Sequence, residues 1–308
     1  MEIALVGIGK IAVDQHVPAI NASPDWELAA TVSRNGSVPG VPAYTDFTAL
    51  LAERPEIRVI SLCLPPVPRY AYVAEAIRAG RHVMLEKPPG ATLSECHALE
   101  ALATKHRVSL YATWHSRQAE QVAAAKAFLA AAPLKRLEVR WREDVRYWHP
   151  GQDWIFEPGG MGVFDPGINA LSIVTEILPD PIHLTGAELG CPENKQTPIA
   201  AEMDFFHPQG AKVSAHFDWL AQGTPEWTIE AETEAGHMLL ENGGAKLTIN
   251  GAAPESAPAG LTGEYPRLYA QMAELVQAGG IDMDLAPMRH VADAFTLGRR
   301  VSVAPFHW

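Results

Sequence analysis

The sequence has few cysteines, no long apolar run and no excess of basic residues. Its three cysteines, Cys63, Cys96 and Cys191, are odd in number and far apart, which excludes a disulfide framework or a zinc knuckle and suits a reducing compartment. No apolar stretch reaches the roughly 20 residues that a membrane-spanning helix needs. Lys and Arg number 24 against 36 Asp and Glu. The resulting net charge of −12 argues against nucleic acid or a membrane surface as a partner.

Several common site signatures are also missing. No G-x-S-x-G, H-E-x-x-H or Walker lysine motif occurs, and the twelve histidines show no paired ligand spacing, so we expect no metal site. Met1 leads directly into an apolar segment without a basic start, so we expect no secretory signal and a cytoplasmic location. The 308 residues, 47% of them hydrophobic, suffice for one large domain or two moderate ones.

A glycine-rich turn follows the first strand-like segment, residues 3–6, and a second such segment follows at 27–32. Strand, glycine turn, helix and strand in this order are typical of a dinucleotide site. Gly7 permits the tight turn, Gly9 lets the backbone approach a pyrophosphate, and the helix N-terminus offers N–H groups to the phosphates. An ordinary βα turn is the alternative. The turn supplies the first candidate cofactor-binding residues, which are Gly7, Ile8, Gly9, Lys10 and Ile11.

The end of the second strand-like segment favours NADP. Ser33 and Arg34 stand where an NAD-selective site usually has a carboxylate. A hydroxyl can hydrogen-bond a 2′-phosphate, and a guanidinium can neutralise it. We therefore predict NADP as the cofactor and leave NAD open, a solvated turn arginine being the alternative for Arg34.

Strands and helices alternate through the first 118 residues. Strand-like segments at 58–64, 82–85 and 109–113 are separated by helices predicted at 70–79 and 93–106. Such units predict a doubly wound parallel sheet of the Rossmann type, with ligands bound beyond the carboxyl ends of the strands. This edge completes the predicted cofactor-binding set with Leu64, Pro65, Pro66, Glu86, Lys87, Trp114 and His115.

After residue 118 the pattern changes. An Ala-rich helix is predicted at 120–132, and helices at 267–278 and 287–300 are expected to pack back on the body. Period-two alternation, which predicts a large, mostly antiparallel open sheet in an α/β domain, occurs at 137–142, 200–206, 211–218 and 228–234. We therefore predict a Rossmann domain, 1–118, and a substrate-binding α+β domain, 119–308.

Six of the eight tryptophans lie between Trp114 and Trp227, among polar residues such as Glu143 and His149. A neutral sugar binds through this mixture, with polar groups for its hydroxyls and aromatic rings for its C–H face. A tryptophan-rich core is the alternative for Trp148 and Trp227, and surface positions are the alternative for Glu143 and His149.

Four motifs together resemble those of a known family. They are G-I-G-K-I-A at 7–12, S-L-C-L-P-P at 61–66, H-V-M-L-E-K-P at 82–88 and G-G-M-G-V-F-D-P-G-I-N at 159–169. With them the chain resembles the glucose–fructose oxidoreductase/inositol dehydrogenase/MocA family over essentially its whole length. W-H-S-R at 114–117 and the segment 146–160 are similar to the bacterial aldose 1-dehydrogenases of that family, which oxidise L-arabinose or D-galactose.

The resemblance implies an NAD(P)-dependent sugar dehydrogenase that oxidises the anomeric carbon of L-arabinose and/or D-galactose to the lactone. The anomeric hydroxyl must lose its proton as the hydride leaves, so the site needs a base. We predict Asp165 as this base with the Lys87 ammonium polarising the oxygen, and the reverse assignment stays open. The predicted substrate-binding set is Lys87, His115, Glu143, Trp148, His149, Asp165, Asn169 and Trp227.

One position departs from the broad family, many members of which have a histidine acid/base where this sequence has Asn169. An amide cannot shuttle a proton, so Asn169 is expected to bind or orient the substrate. The structural alternatives are a helix N-cap for Asp165, a turn position for Lys87 and a buried amide for Asn169. A non-catalytic NADP-binding regulator and a dehydrogenase of a cyclitol or other sugar remain alternative functions. The sugar preferred and the formation of a homo-oligomer stay open.

Overall fold

A computed structural model describes residues 1–254 and 261–308 of the chain. These residues form two compact units. The first consists of Met1–Gln118 with Leu261–Leu285, and the second of residues 119–254 with Ala286–Trp308. The observed division differs from the predicted one in the segment Leu261–Leu285, which belongs to the first unit.

The helices and strands of the described residues are as follows. The strands are β1 (Glu2–Val6), β2 (Glu27–Val32), β3 (Ala43–Tyr44), β4 (Val59–Leu62), β5 (His82–Glu86), β6 (Leu110–Thr113), β7 (Leu134–Arg142), β8 (His183–Pro192), β9 (Ala200–Phe206), β10 (Lys212–Asp218), β11 (Glu226–Thr233), β12 (Gly236–Glu241), β13 (Lys246–Ile249), β14 (Ile281–Asp282) and β15 (Arg299–Val303). The α-helices are α1 (Val17–Ala22), α2 (Phe47–Glu53), α3 (Pro66–Arg78), α4 (Leu93–His106), α5 (Val122–Ala130), α6 (Val145–Trp148), α7 (Phe164–Ile177), α8 (Glu264–Ala278) and α9 (Ala286–Leu297).

The first unit is built on a parallel sheet with the strand order β14-β6-β5-β4-β1-β2-β3. Its central strands are buried on both faces, which explains their nearly continuous apolar sequences. The predicted Rossmann sheet is confirmed. The carboxyl ends of its strands are followed by Gly7, Ser33, Cys63, Lys87 and Trp114.

Helix α8 belongs to the first unit because its apolar stripe fits the core beside the sheet. Leu268, Tyr269 and Met272 are fully buried there. They pack in one cluster with residues of the N-terminal segments, among them Ile3, Ile20, Val59, Met84 and Tyr111. Strand β14, which follows α8, extends the sheet beside β6.

The second unit contains a mixed sheet with the strand order β13-β12-β11-β7-β10-β9-β8-β15. Most pairings are antiparallel, as predicted, and β10–β7 and β15–β8 are parallel. Helix α7 lies against β7 and β11 and contacts α5 and α9. The opposite face carries cross-strand ion pairs, such as Arg142 Nη1 to Glu226 Oε2 at 3.1 Å, so the alternation of the strands separates a core face from a charged one.

The prediction of a helix at 287–300 is wrong for its last three residues. Helix α9 ends at Leu297, and Arg299–Val303 forms β15 beside β8. A Cβ on Gly298 would lie 2.4 Å from the carbonyl oxygen of Ala294, so the chain leaves the helix at a position that only glycine fits. In the part of the chain that the structure describes, no helix has the length and apolarity needed to cross a membrane.

Candidate functional site

The glycine turn after β1 has the geometry of a phosphate cradle. Gly7 has φ of +89°, and a Cβ there would lie 3.0 Å from the side chain of Leu64, so only glycine fits. At Gly9, by contrast, a Cβ would meet no described atom within 4 Å. Helical turns begin at residue 10 and pass through a π-helical segment, Ala12–His16, into α1. Open space before a helix N-terminus fits a dinucleotide pyrophosphate.

The segment after β2 packs on this turn. A Cβ on Gly36 would lie 2.4 Å from the carbonyl oxygen of Ile8, so the close approach of the two loops depends on glycine. The Ser33 hydroxyl accepts a hydrogen bond from the N–H of Gly36 at 3.2 Å, and Arg34 is exposed. Ser33 and Arg34 are therefore beside the glycine turn, and their recognition of a ribose phosphate remains a prediction.

Lys87, half-buried at the end of β5, is held through its backbone by Glu86. The Glu86 carboxylate accepts the N–H of Lys87 at 2.9 Å and the hydroxyl of Tyr265 at 2.8 Å. It also lies 3.1 Å from His16 Nε2, and His16 Nδ1 is 2.7 Å from the Tyr269 hydroxyl. Burial would raise the pKa of Glu86, but the hydrogen bond and charge of His16 lower it to about 2. Glu86 is therefore an ionised, buried anchor under Lys87.

His115 forms a second ion pair in the same unit. Its Nδ1 lies 2.6 Å from Glu264 Oε2, and its ring stacks on that of Tyr265 at 5.7 Å. Burial alone would lower the pKa of His115, but the carboxylate of Glu264 outweighs burial and raises it. Trp114 is buried, and its indole N–H donates to the carbonyl oxygen of Asp284 at 2.8 Å. The Trp114 and Glu86 side chains thus support the fold of this edge, and their predicted contact with a cofactor remains a prediction.

Sequence reasoning missed several residues of this network, namely His16, Glu264, Tyr265 and Tyr269, and also Arg69, whose guanidinium donates to the carbonyl oxygen of Glu86. Arg69 occupies the buried stripe of α3 together with Val73 and Ile77, which was a readable signal of a buried cation. The tyrosines lie four residues apart on α8, but nothing in the sequence assigns that helix to the first unit.

In the second unit Glu143 is an anchor for two tryptophans. Its Oε1 accepts the indole N–H of Trp219 at 3.1 Å and its Oε2 that of Trp227 at 2.8 Å. Glu143 is only 5% exposed, so a surface position is excluded. Burial raises its pKa, and the two indole hydrogen bonds oppose that shift. Trp219, which the sequence analysis did not single out, comes next to Glu143 because the Glu143 N–H bonds the carbonyl of Asp218 at the end of β10.

Trp227 belongs to an aromatic cluster with an exposed ring at its edge. It stacks on the buried Trp141 at 5.9 Å and is tilted against Trp148 at 5.6 Å. Tyr147 meets Trp148 edge-on at 4.9 Å. Trp148 is 39% exposed, so it offers an aromatic surface to a ligand while its partners hold its position.

Asp165 and His149 form a close pair beside this cluster. Their Oδ2 and Nε2 atoms are 3.1 Å apart, and His149 Nδ1 lies 3.3 Å from Gln152 Oε1. Helix α7 begins at Phe164 with Val163 as its N-cap, so Asp165 is in the first turn and the N-cap alternative is wrong. Asp165 is 8% exposed. A buried carboxylate next to an imidazole can accept a proton and share it with its partner.

The predicted residues thus fall into two groups. In the second unit a chain of contacts links Glu143, Trp148, His149, Asp165 and Trp227 through Trp219, and Asn169 follows Asp165 by one helical turn, half-buried. The first unit carries the predicted cofactor residues together with Lys87 and His115. Among residues 1–254 and 261–308 no cluster of His, Cys, Asp and Glu side chains is arranged to hold a metal ion.

Residues 1–113 match the glucose–fructose oxidoreductase/inositol dehydrogenase/MocA oxidoreductase family, described as having an NAD-binding Rossmann fold. A galactose 1-dehydrogenase of Pseudomonas fluorescens is 42% identical over 308 residues, covering all of this chain and 99% of the relative.

Solved structures extend this similarity. A D-galactose-1-dehydrogenase from Rhizobium etli is 55% identical with a TM-score of 0.95, covering 99% of this chain and 97% of that one. A 3-ketoreductase from Actinomadura kijaniata, solved with NADP and TDP-benzene, has a TM-score of 0.82 at 18% identity, with 98% and 99% of the chains covered. At that identity the likeness concerns the fold.

Proposed function

The chain belongs to the glucose–fructose oxidoreductase/inositol dehydrogenase/MocA family, and from this membership we propose that it is an NADP-dependent sugar 1-dehydrogenase. The proposed substrate is the pyranose form of D-galactose or L-arabinose, which differ by one hydroxymethyl group. In the reaction the anomeric carbon loses a hydride and its hydroxyl loses a proton, which gives the lactone. When bound, the nicotinamide accepts the hydride.

The observation that carries the proposal is the Asp165–His149 pair beside the exposed ring of Trp148. Oxidation of an alcohol needs a base at the hydroxyl, and a sugar needs an aromatic surface for its C–H face. Asp165 takes the hydroxyl proton in the proposed reaction and shares it with His149. The relatives named galactose 1-dehydrogenase, similar over their full lengths, support the same chemistry.

In this proposal the first unit binds the cofactor and contributes the Lys87 ammonium. The Gly7–Gly9 turn holds the pyrophosphate, and Ser33 with Arg34 favours the 2′-phosphate of NADP. The Lys87 ammonium stabilises negative charge on the anomeric oxygen as the carbonyl forms. We also propose a cytoplasmic location, which the three reduced thiols favour.

The test follows reduced nicotinamide by its near-ultraviolet absorbance, with NADP or NAD and with D-galactose, L-arabinose or myo-inositol. We expect turnover with a pyranose and NADP, and a loss of about a hundredfold or more in Asp165→Asn. Asp153→Asn is the matched control, because Asp153 precedes Asp165 by twelve residues but is exposed and pairs with Lys195 at 2.7 Å. This control should keep the parent turnover within about twofold.

Two results would contradict the proposal. Binding of NADPH without oxidation of any sugar would favour the non-catalytic regulator, and faster turnover with myo-inositol than with either pyranose would favour a cyclitol dehydrogenase. Equal losses in Asp165→Asn and Asp153→Asn would remove Asp165 from the role of base.

A further inference from the structure

We propose that Arg69 is a positioning residue of the reaction, whose guanidinium fixes the backbone of Lys87 relative to the cofactor-binding segment 64–66. The inference rests on the proposed function, because it concerns the placement of the cation and cofactor that the function requires. Arg69 itself touches neither substrate nor cofactor in this proposal.

Arg69 lies on α3 and is 2% exposed. Its Nε donates to the carbonyl oxygen of Leu64 at 3.1 Å, and its Nη2 donates to the same oxygen. Its Nη1 donates to the carbonyl oxygens of Glu86 and Pro88. One side chain therefore binds the carbonyls on both sides of Lys87 and the carbonyl just before Pro65.

The placement of these three carbonyls explains why an arginine is useful here. Glu86 ends β5, and Leu64 follows β4, so the two strand ends are neighbours in the sheet. The planar guanidinium has five N–H donors in a fixed geometry, so it sets both the distance and the orientation of the peptide groups it binds. A lysine in its place has a single nitrogen and cannot reproduce that pattern.

The side chain remains charged despite its surroundings. Burial lowers the pKa of Arg69 to about 10, and the Glu86 carboxylate opposes that shift. Burying a cation carries a large desolvation cost, which hydrogen bonds must offset. For Arg69 these bonds include those to the carbonyl oxygens of Glu86 and Pro88, on either side of Lys87. The Glu86 carboxylate holds the Lys87 N–H at 2.9 Å, so buried ionised groups fix the backbone on both sides of the Lys87 Cα.

The same sheet provides a matched control in Arg81. Its guanidinium is also buried, at 7% exposure, and donates to the carbonyl oxygens of Pro55 at 2.7 Å and Leu51 at 3.2 Å. Arg81 directly precedes β5, whereas Lys87 directly follows it. Its replacement removes similar hydrogen bonds at the opposite end of the strand from Lys87.

The experiment compares Arg69→Lys and Arg81→Lys in the full chain by thermal unfolding, by NADPH affinity from protein fluorescence, and by kcat and KM for the sugar. In Arg69→Lys we expect kcat to fall about a hundredfold and the Kd of NADPH to rise about fivefold or more, with the KM of the sugar within about threefold. In Arg81→Lys, kcat and Kd should stay within about twofold, whatever the loss of Tm. If Arg69→Lys does not fold, Arg69→Gln, which keeps an amide donor, replaces it.

The inference is overturned if the Arg69 variant matches the Arg81 variant in kcat and in NADPH affinity. It is also overturned if both variants lose activity in proportion to their loss of Tm, which is the result of a purely structural role. Failure of the proposed function has a different signature, since the unmodified chain then oxidises no sugar. The NADPH affinities of the two variants still decide the role of Arg69 in that case, and equal affinities refute it.

Discussion

Replacement of Glu86 by glutamine should destabilise the protein in a way that depends on pH. The buried carboxylate has its pKa lowered from 4.5 to about 2, mainly because the contact with His16 outweighs burial. Such a shift corresponds to about 3 kcal/mol of unfolding free energy, and at 6% exposure solvent screening is small. Glu86→Gln keeps the shape of the side chain and removes its charge, so about this much stability should be lost near neutral pH.

The sign of each shift defines the pH window. Glu86 has a lowered pKa, so its contribution is complete above 4.5 and is lost as the pH falls towards 2. Burial would lower the pKa of His16, but contacts with Cys63, Tyr269 and Glu86 raise it well above 6.5. The contribution of His16 is therefore complete below 6.5 and is lost as the pH rises through its raised pKa. The difference between parent and variant should be largest between pH 4.5 and 6.5.

Calorimetric Tm values of both proteins from about pH 3 to pH 9 measure this difference. Glu95→Gln is the control, because the Glu95 carboxylate also accepts a backbone N–H, from Ala91 at 3.1 Å, but among residues 1–254 and 261–308 forms no buried pair with a histidine. The control should lose little stability. A Tm difference for Glu86→Gln that is constant with pH, or smallest between pH 4.5 and 6.5, would refute the reasoning.

Two further predictions concern the binding of ligands. Arg34→Ala should raise the Kd of NADP about tenfold and leave the Kd of NAD within about twofold, because only NADP has the 2′-phosphate. Titrations with both cofactors, alongside the exposed control Arg78→Ala, measure these Kd values. An equal loss of affinity for NADP and NAD in Arg34→Ala would contradict the prediction. Glu143→Gln places an amide donor against one of the two indole N–H groups, so Trp219 or Trp227 loses its anchor and the KM of the sugar should rise about tenfold. The control is Glu226→Gln, because Glu226 precedes Trp227 on β11 but lies on the charged face of the sheet. It should leave the KM unchanged, and an equal rise of KM in both variants would argue against this explanation.

Elements with strong local signals could be predicted from the sequence. Strand β2 and helix α4 have the predicted bounds, 27–32 and 93–106. At α4 the reason is local, since the Thr92 side chain accepts the N–H of Glu95 and caps the first turn. The end of α9 was missed because Gly298 and the segment Arg299–Val303 after it fit a helix end and an edge strand equally well. Which of the two forms depends on pairing with β8, more than a hundred residues earlier.

The same distinction between local and remote contacts applies to the candidate site. Glu143, Trp148 and His149 could be proposed because they crowd into one short polar and aromatic segment. Their partner Trp219 is 76 residues from Glu143, and no local pattern indicates that the ends of β7 and β10 are neighbours. Likewise Tyr265 is 179 residues from Glu86. Sequence patterns identify the residues that carry the chemistry more readily than those that hold them in place.

The return of α8 to the first unit has a consequence during synthesis on the ribosome. Until residues 261–285 have been made, the apolar surface around Ile3, Val59 and Met84 lacks the helix that covers it. At translation rates of roughly 5–20 residues per second, the intervening chain of about 140 residues takes roughly 7–30 s to produce. During that time the nascent first unit therefore exposes this apolar surface. We expect chaperones to bind it until α8 emerges.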